Sequence, residues 1–470
     1  MTPRLKIALP KGRLLGQTRS LLERGGLGFD AYTDGGRHYR LESSMLPGVG
    51  AKIFQERDVP IQVAIGNYDL GICGCQWIEE LLSGYPLGSL VRVAELGYGS
   101  GSVFAAVSRF SEYRSARDLS RRITPLRIVS EYPNLAEAVA VRLRMRRFKV
   151  FPLWGSAEAY PPENSEVAIL WRESASMIYN EGLLPLSEVL TGGACLVANK
   201  ESWGRRELGE VVSRICQSVR PVEETPGASI AQTSEVRAAP VDNGKDYVWL
   251  ALPDGHQQNH ASKFLEKAGI SVDGYSAKSG NRYPGTNLVG VKVKVIRPQD
   301  MPMQVANGNF DLAVTGIDWL TDHKNRFPQS PVEQVLDLGF GRVRIVAAMD
   351  GAESVEDITQ LRRWLQSKGR FLRVASEYVN IADRFARENH LIPYRVIPTW
   401  GATEAFIPED ADLLIENTET GRTLAENNLR IIDTLGISTA CVIANTNARV
   451  SPEKRAGVQA VIDAFKRGMV

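Results

Sequence analysis

Short apolar runs separated by amphipathic stretches set the pattern of this chain. LKIALP at Leu5, DLGIC at Asp69 and LRIVS at Leu126 have the length of buried strands. NLAEAVAVRLRM, Asn134 to Met145, carries apolar residues at helical spacing along one face. Runs of these two kinds in alternation predict α/β units with largely parallel strands. Late in the chain, DLLI at Asp412 reads as a strand. It leads through ENTETG, Glu416 to Gly421, into a helix over RTLAENNLRII, Arg422 to Ile432.

The same patterns occur twice. ERDVPIQVAIGN at Glu56 matches PQDMPMQVANGN at Pro298, and YDLGICGCQWI at Tyr68 matches FDLAVTGIDWL at Phe310. ELGYG at Glu95 pairs with DLGFG at Asp337, and RIVSEYPNLAEAVA at Arg127 with RVASEYVNIADRFA at Arg373. WGSAEA at Trp154 pairs with WGATEA at Trp400, and CLVAN at Cys195 with CVIAN at Cys441. The matches keep their order over nearly the whole chain, which chance does not produce. Two tandem repeats follow, 1–220 and 247–470. Residues 221–246 between them, polar and rich in Pro, Gly, Ser and Thr, read as a linker. Each repeat is expected to be a two-lobed α/β unit around a cleft, of the periplasmic-binding-protein-like kind. The chain would cross to the second lobe and return.

Composition narrows the picture. A chain of 470 residues is too long for one ordinary core. Its 43% hydrophobic and 23% charged content is that of a globular protein. A net charge of +2 carries no basic surplus that would point to nucleic acid or a membrane surface. No apolar run reaches the ~18 residues of a membrane helix, and the start, MTPRLKIALPKGRLL, lacks the apolar core of a secretory signal. The cytoplasm is the expected compartment. Cys73, Cys75, Cys195, Cys216 and Cys441 are few and odd in number, so no disulfide framework is expected. The CxC of Cys73 and Cys75 has no companion cluster and reads as buried thiols. HQQNH, His256 to His260, lacks the glutamate of a zinc protease motif, and no metal held by protein side chains is expected.

Two stretches invite phosphate chemistry. After DLLI, Gly421 lets backbone approach a ligand closely, and Thr420 and Thr423 offer hydroxyls to phosphate oxygens. Glu416 and Glu419 are wrong for phosphate but suited to ribose hydroxyls, so a sugar phosphate is a reasonable ligand. A capped helix after a tight turn explains the same residues. ALPKGRLL, from Ala8, ends a strand with Lys11, Gly12 and Arg13, two cations flanking a glycine. A solvated basic turn is the plain alternative. The second repeat reads ALPDGHQQ there, with Asp254 and His256, a reversed charge expected to repel the same anion.

Taken together, these residues resemble the ATP phosphoribosyltransferase family, which commits ATP to histidine biosynthesis. LPKGRL from Leu9 matches the family's first strand end. Its Arg-x-x-Asp-Val-Pro resembles Arg297 and Asp300 with Met-Pro, and its Gly-x-Asp resembles Gly316 with Asp318. Its Leu-Gly-Phe-Gly with nearby basic residues resembles Gly341, Arg342 and Arg344. Its phosphoribosyl pyrophosphate loop, Asp-x-x-Glu-Thr-Gly-x-Thr-Leu, resembles Glu416 to Leu424 with Glu416 in place of the usual aspartate. The first repeat has Gln55 for the arginine, Gln76 for the aspartate, and no basic residue in GYGSGS. In its loop Leu170 replaces the acid, Ala175 the glycine and Met177 the threonine. A tandem fusion departs from the family's usual forms.

The resemblance implies transfer of a 5-phosphoribosyl group from phosphoribosyl pyrophosphate to adenine N1 of ATP, with Mg²⁺ bound to the substrate. It puts Glu419, Thr420, Gly421, Arg422 and Thr423 on the 5-phosphate and Glu416 on ribose hydroxyls. Arg297, Arg342 and Arg344 would be catalytic, holding phosphates of ATP or pyrophosphate, and Lys11, Gly12, Arg13, Gly316 and Asp318 would bind nucleotide or pyrophosphate. The two repeats would form an internal pseudo-dimer, open to further self-association or a regulatory partner. Lys11 and Arg13 would either serve the second repeat's cleft or hold a regulatory nucleotide in their own. A regulatory pseudoenzyme and a small-molecule binding module are the competing classes, the first favoured by Asp254 and His256.

Overall fold

The computed structural model describes residues 5–34, 39–85, 88–205, 208–219, 247–276, 280–446 and 451–469. The linker expected at 221–246 lies outside the described residues. Each repeat builds two lobes, each on its own sheet. In the second repeat the first sheet runs Val291–Ile296, Val248–Pro253, Leu312–Gly316, Ala440–Asn445, Val332–Asp337. The second runs Tyr394–Pro398, Leu372–Ser376, Leu413–Thr418, Val343–Asp350, Leu429–Ser438. The first repeat repeats both orders, with the short strand Arg40–Glu42 added at one edge.

The sheets are mixed rather than largely parallel. Apart from the edge strand Arg40–Glu42, strands laid down within one lobe pair in parallel, such as Leu372–Ser376 with Leu413–Thr418. Strands that have just crossed from the other lobe enter from the opposite end and pair antiparallel, as Val343–Asp350 does with Leu413–Thr418. The crossing out falls at the repeated Leu-Gly-aromatic-Gly segment. Gly339 and Gly341 take φ of 71° and 64°, and Gly97 and Gly99 take 71° and 63°, conformations that glycine adopts without strain. The return passes through Gly193 in the first repeat and Thr439 in the second.

One segment differs from its predicted state. The helix read over Arg422–Ile432 stops after Arg422–Glu426, and Leu429–Ser438 is a strand. Asn428, at φ 57°, turns the chain out of the helix. The β-branched Ile431 and Ile432 then favour an extended chain, which pairs with Val343–Asp350. That ladder is worth more than a short helix with weak propensity.

The compact units are not the repeats alone. One holds the first repeat with Thr399–Phe406, and the other holds the second repeat with Leu153–Asn164, so each repeat lends the segment that carries its WG motif. Chemistry explains the exchange. In the second unit the fully buried Lys294 ammonium donates to Glu163 (2.9 Å) and Asn164 (2.8 Å). Tyr283 donates to the Ala159 carbonyl at 2.8 Å, and Arg282 pairs with Glu158 at 2.9 Å. The Trp154 amide donates to Asp300 at 3.1 Å. In the first unit Phe406 packs on Phe54 with ring centres 5.3 Å apart, and Arg57 lies 3.9 Å from the Trp400 ring centre. A buried lysine without such partners would be costly, so the borrowed segment is part of the unit's core.

Cys73, Cys75, Cys195 and Cys441 are buried free thiols. Among the described residues no helix is long and apolar enough to cross a membrane.

Candidate active site

In the second unit the carboxyl ends of the parallel strands carry the residues singled out from sequence, where open α/β sheets bind ligands. Glu416, Asn417 and Thr418 close the central strand Leu413–Thr418. The chain then turns at Gly421, whose φ of 79° belongs to the left-handed region, and enters the five-residue helix Arg422–Glu426. The Thr418 hydroxyl accepts from the Gly421 amide at 2.9 Å and fixes the turn. Leu424 is buried and anchors the short helix, while Glu419, Thr420 and Arg422 are exposed.

Arg344 faces this turn from the adjacent strand. It is the ladder partner of Thr418, and its guanidinium lies 3.9 Å from where a Gly421 side chain would begin. A cation, a glycine turn and two threonine hydroxyls therefore share one small region. Arg342 is exposed just before the same strand. Arg297 belongs to the other lobe of this unit, where Asp254 accepts from it at 3.3 Å.

Asp254 was expected to repel anions, and the geometry corrects that. Its carboxylate is buried between Arg282 at 2.9 Å and Arg297 at 3.3 Å, with the Ser156 hydroxyl at 3.4 Å. Glu158 also holds Arg282 at 2.9 Å, so two guanidiniums face two carboxylates and the charge of Asp254 is compensated within the cluster. Asp318, expected at the nucleotide, is likewise turned inward. Its carboxylate accepts from the Tyr378 hydroxyl at 2.7 Å and the Trp319 amide at 2.9 Å, and the Ser438 hydroxyl accepts from its amide at 3.0 Å. Burial pushes this carboxyl up from its ordinary value, against those hydrogen bonds. Gly316 makes room for it, because a Cβ there would overlap the Asp318 carboxylate. Neither residue presents itself to an open ligand site.

In the first unit the arginine singled out from sequence is held by neighbouring side chains. Arg13 pairs with Glu56 at 2.8 Å, donates to the Gly99 carbonyl at 3.2 Å and lies 4.0 Å from the Trp171 ring centre. Glu56 also accepts from the Gly74 amide and the Gln76 side chain, both at 3.0 Å. An internal carboxylate thus occupies the donors an anion would seek. Lys11 lies 5.3 Å from the Tyr39 ring centre, and its charge acts on the half-buried Glu404 of the borrowed segment. Gly12, at φ 84°, has open space where a side chain would start. The loop itself has changed conformation. Ser174 is extended at φ −153° and Ala175 already opens a helix, where the second repeat has its left-handed glycine.

Sequence reading missed Asn417, Thr418 and Tyr378. Both repeats keep the tyrosine, as Tyr132 and Tyr378, so a search for differences between copies passed over it. Asn417 and Thr418 stood in the quoted loop but between its acidic landmarks, with no signal until the strand was paired.

Comparison with known proteins bears on both repeats. The family model described as ATP phosphoribosyltransferase matches residues 55–219 and again 297–467. An ATP phosphoribosyltransferase of Prosthecochloris aestuarii is 33% identical over 220 residues, 46% of this chain and 69% of that protein. One from Methanocaldococcus jannaschii is 32% identical over 222 residues, 47% of this chain and 72% of its own. A chain of the ATP phosphoribosyl transferase (HisG:HisZ) complex from Thermotoga maritima aligns at 23% identity with a TM-score of 0.38, covering 47% of this chain and 98% of that one. With the family's pattern found once in each repeat, this chain belongs to the ATP phosphoribosyltransferase family and carries its core in duplicate.

Proposed function

We propose that this protein transfers the 5-phosphoribosyl group of phosphoribosyl pyrophosphate to adenine N1 of ATP, as a step of histidine biosynthesis, using the second unit's cleft. The reading rests on the convergence of Glu416, the left-handed Gly421 and Arg344 at one strand end. The first repeat has Leu170, Ala175 and Ser102 at those places. In the reaction the N1 lone pair forms the new bond to ribose C1 while the C1–O bond breaks, and pyrophosphate leaves with the electron pair. Adenine N1 needs no base to attack, so the work is alignment and stabilisation of charge.

The turn Glu419–Thr423 would hold the 5-phosphate through backbone, hydroxyls and Arg422. Glu416 would accept from ribose hydroxyls. Arg344, Arg342 and Arg297 would meet the negative charge gathering on pyrophosphate. Among the described residues no group of three or more His, Cys, Asp or Glu is arranged to hold a metal. The divalent ion, Mg²⁺ in this reading, belongs with the pyrophosphate as part of the substrate, where it neutralises leaving-group charge. With Arg13 tied to Glu56 and Trp171, the first cleft serves structure.

The test is pyrophosphate release by the purified chain with ATP, phosphoribosyl pyrophosphate and Mg²⁺, the nucleotide product being identified by mass. Turnover to phosphoribosyl-ATP is expected, and Glu416→Ala is expected to abolish most of it. A folded chain that binds nucleotide yet makes no product would overturn the proposal and point to a regulatory subunit.

A further inference from the structure

Hydrogen bonds run from one lobe of the second unit to the other and end at Glu416. Glu416 Oε1 accepts from the Asn417 backbone amide at 3.0 Å and from its side-chain amide at 3.1 Å, and that side chain also donates to the Tyr378 hydroxyl at 2.8 Å. That hydroxyl donates in turn to Asp318 at 2.7 Å. Asp318 is the second residue of the helix Ile317–Arg326, which leaves the first-lobe strand Leu312–Gly316 and packs on the second-lobe helix Val379–Glu388, while Tyr378, Asn417 and Glu416 belong to the second lobe. The tyrosine is fully buried, and its ring lies on Trp319 with centres 4.4 Å apart. The direction of donation is set by the amide: its nitrogen can only donate, so the Tyr378 hydroxyl accepts from Asn417 and gives its one proton to Asp318, while the other amide N–H turns to Glu416.

The first repeat is an internal control. It keeps the tyrosine as Tyr132 and an indole beside it, Trp77, at 4.5 Å. It also keeps the serine that ties this turn to the central strand. Ser130 donates to the Ile169 carbonyl at 2.7 Å, as Ser376 does to Ile415 at 2.6 Å. Yet Asp318, Asn417 and Glu416 are replaced together, by Gln76, Trp171 and Leu170. The lobes fold with the same strand order without the polar chain, so folding does not require it. It is present in the copy that also keeps the glycine turn.

We propose that Tyr378, held by Asp318 and acting through Asn417, is a positioning residue that orients the Glu416 carboxylate toward the ribose of phosphoribosyl pyrophosphate. This rests on the reading that Glu416 meets the ribose hydroxyls.

Tyr378→Phe removes the hydroxyl and keeps the ring on Trp319. KM for each substrate and calorimetric binding of Mg²⁺-phosphoribosyl pyrophosphate would be measured for Tyr378→Phe, Asn417→Ala, the double variant and Glu416→Ala. Tyr378→Phe is expected to weaken phosphoribosyl pyrophosphate by about 5- to 20-fold, the scale of a hydrogen bond serving a charged group. KM for ATP should stay unchanged, and the double variant should be no worse than the weaker single one, because both break one chain. Unchanged affinity, or equal losses for both substrates, overturns the positioning role while Glu416→Ala still weakens phosphoribosyl pyrophosphate. If Glu416→Ala itself leaves that affinity intact, the ribose reading has failed and the inference falls with it. Should Tyr378→Phe fail to fold, Asn417→Ala carries the same comparison.

Discussion

Gly421→Ala is the sharpest probe of the phosphoribosyl turn, because space and backbone conformation make separate demands there. An alanine Cβ would lie 3.9 Å from the Arg344 guanidinium, an ordinary contact, so crowding contributes nothing. The φ of 79° does contribute. A side chain in the left-handed region costs about 1–2 kcal/mol. The first repeat shows how the chain escapes that cost: Ser174 becomes extended and Ala175 joins the helix. A second-repeat turn following that route would move Thr420 and Arg422 off the phosphate. If holding the bound conformation requires about 1–2 kcal/mol, KM for phosphoribosyl pyrophosphate should rise by about 5- to 30-fold. Thermal stability should hardly fall, since the free turn relaxes and alanine has less freedom to lose on folding than glycine. Steady-state kinetics with each substrate varied, beside a melting curve, checks both halves. A normal KM for phosphoribosyl pyrophosphate in Gly421→Ala would refute the reasoning, because the turn's conformation would then not matter to the ligand.

Three further outcomes are expected. Lys294→Ala, which deletes a fully buried ammonium and its bonds to Glu163 and Asn164, should destabilise the protein by about 3 kcal/mol in urea unfolding. Glu56→Ala leaves Arg13 without its carboxylate partner and should lose about 2 kcal/mol of stability while kcat stays unchanged, since the first cleft is outside the reaction. His323, which shares a 2.7 Å hydrogen bond with Ser330, is pushed down from 6.5 to about 4 by burial and by Arg326 and Lys324 nearby. The unfolded chain therefore binds the extra proton first as pH falls, so the stability tied to neutral His323 is whole above 6.5 and lost toward 4. Urea midpoints across that window should fall for the parent chain and flatten for His323→Gln.

The duplication, the alternation of strands and helices, and the loss of the phosphoribosyl turn from one copy are all written in local order. Ala175, Leu170 and Met177 are chemically unable to replace Gly421, Glu416 and Thr423, whatever surrounds them. The decisions left to tertiary structure concern partners that are distant in sequence. Whether Leu429–Ser438 is helix or strand depended on the ladder offered by Val343–Asp350, because a five-residue helix has too little stability of its own to extend. Asp254 looks like a repelling charge in sequence and becomes a clamp on two arginines once Arg282 and Arg297 reach it. Arg13 looks like a phosphate ligand and is spent on Glu56 and Trp171. The exchange of the segments Leu153–Asn164 and Thr399–Phe406 has no local signature either. It follows from a buried lysine, an exposed-looking glutamate and a tyrosine that find each other only when the chain folds. Sequence determines which groups are available for chemistry, while the fold decides which of them are already satisfied.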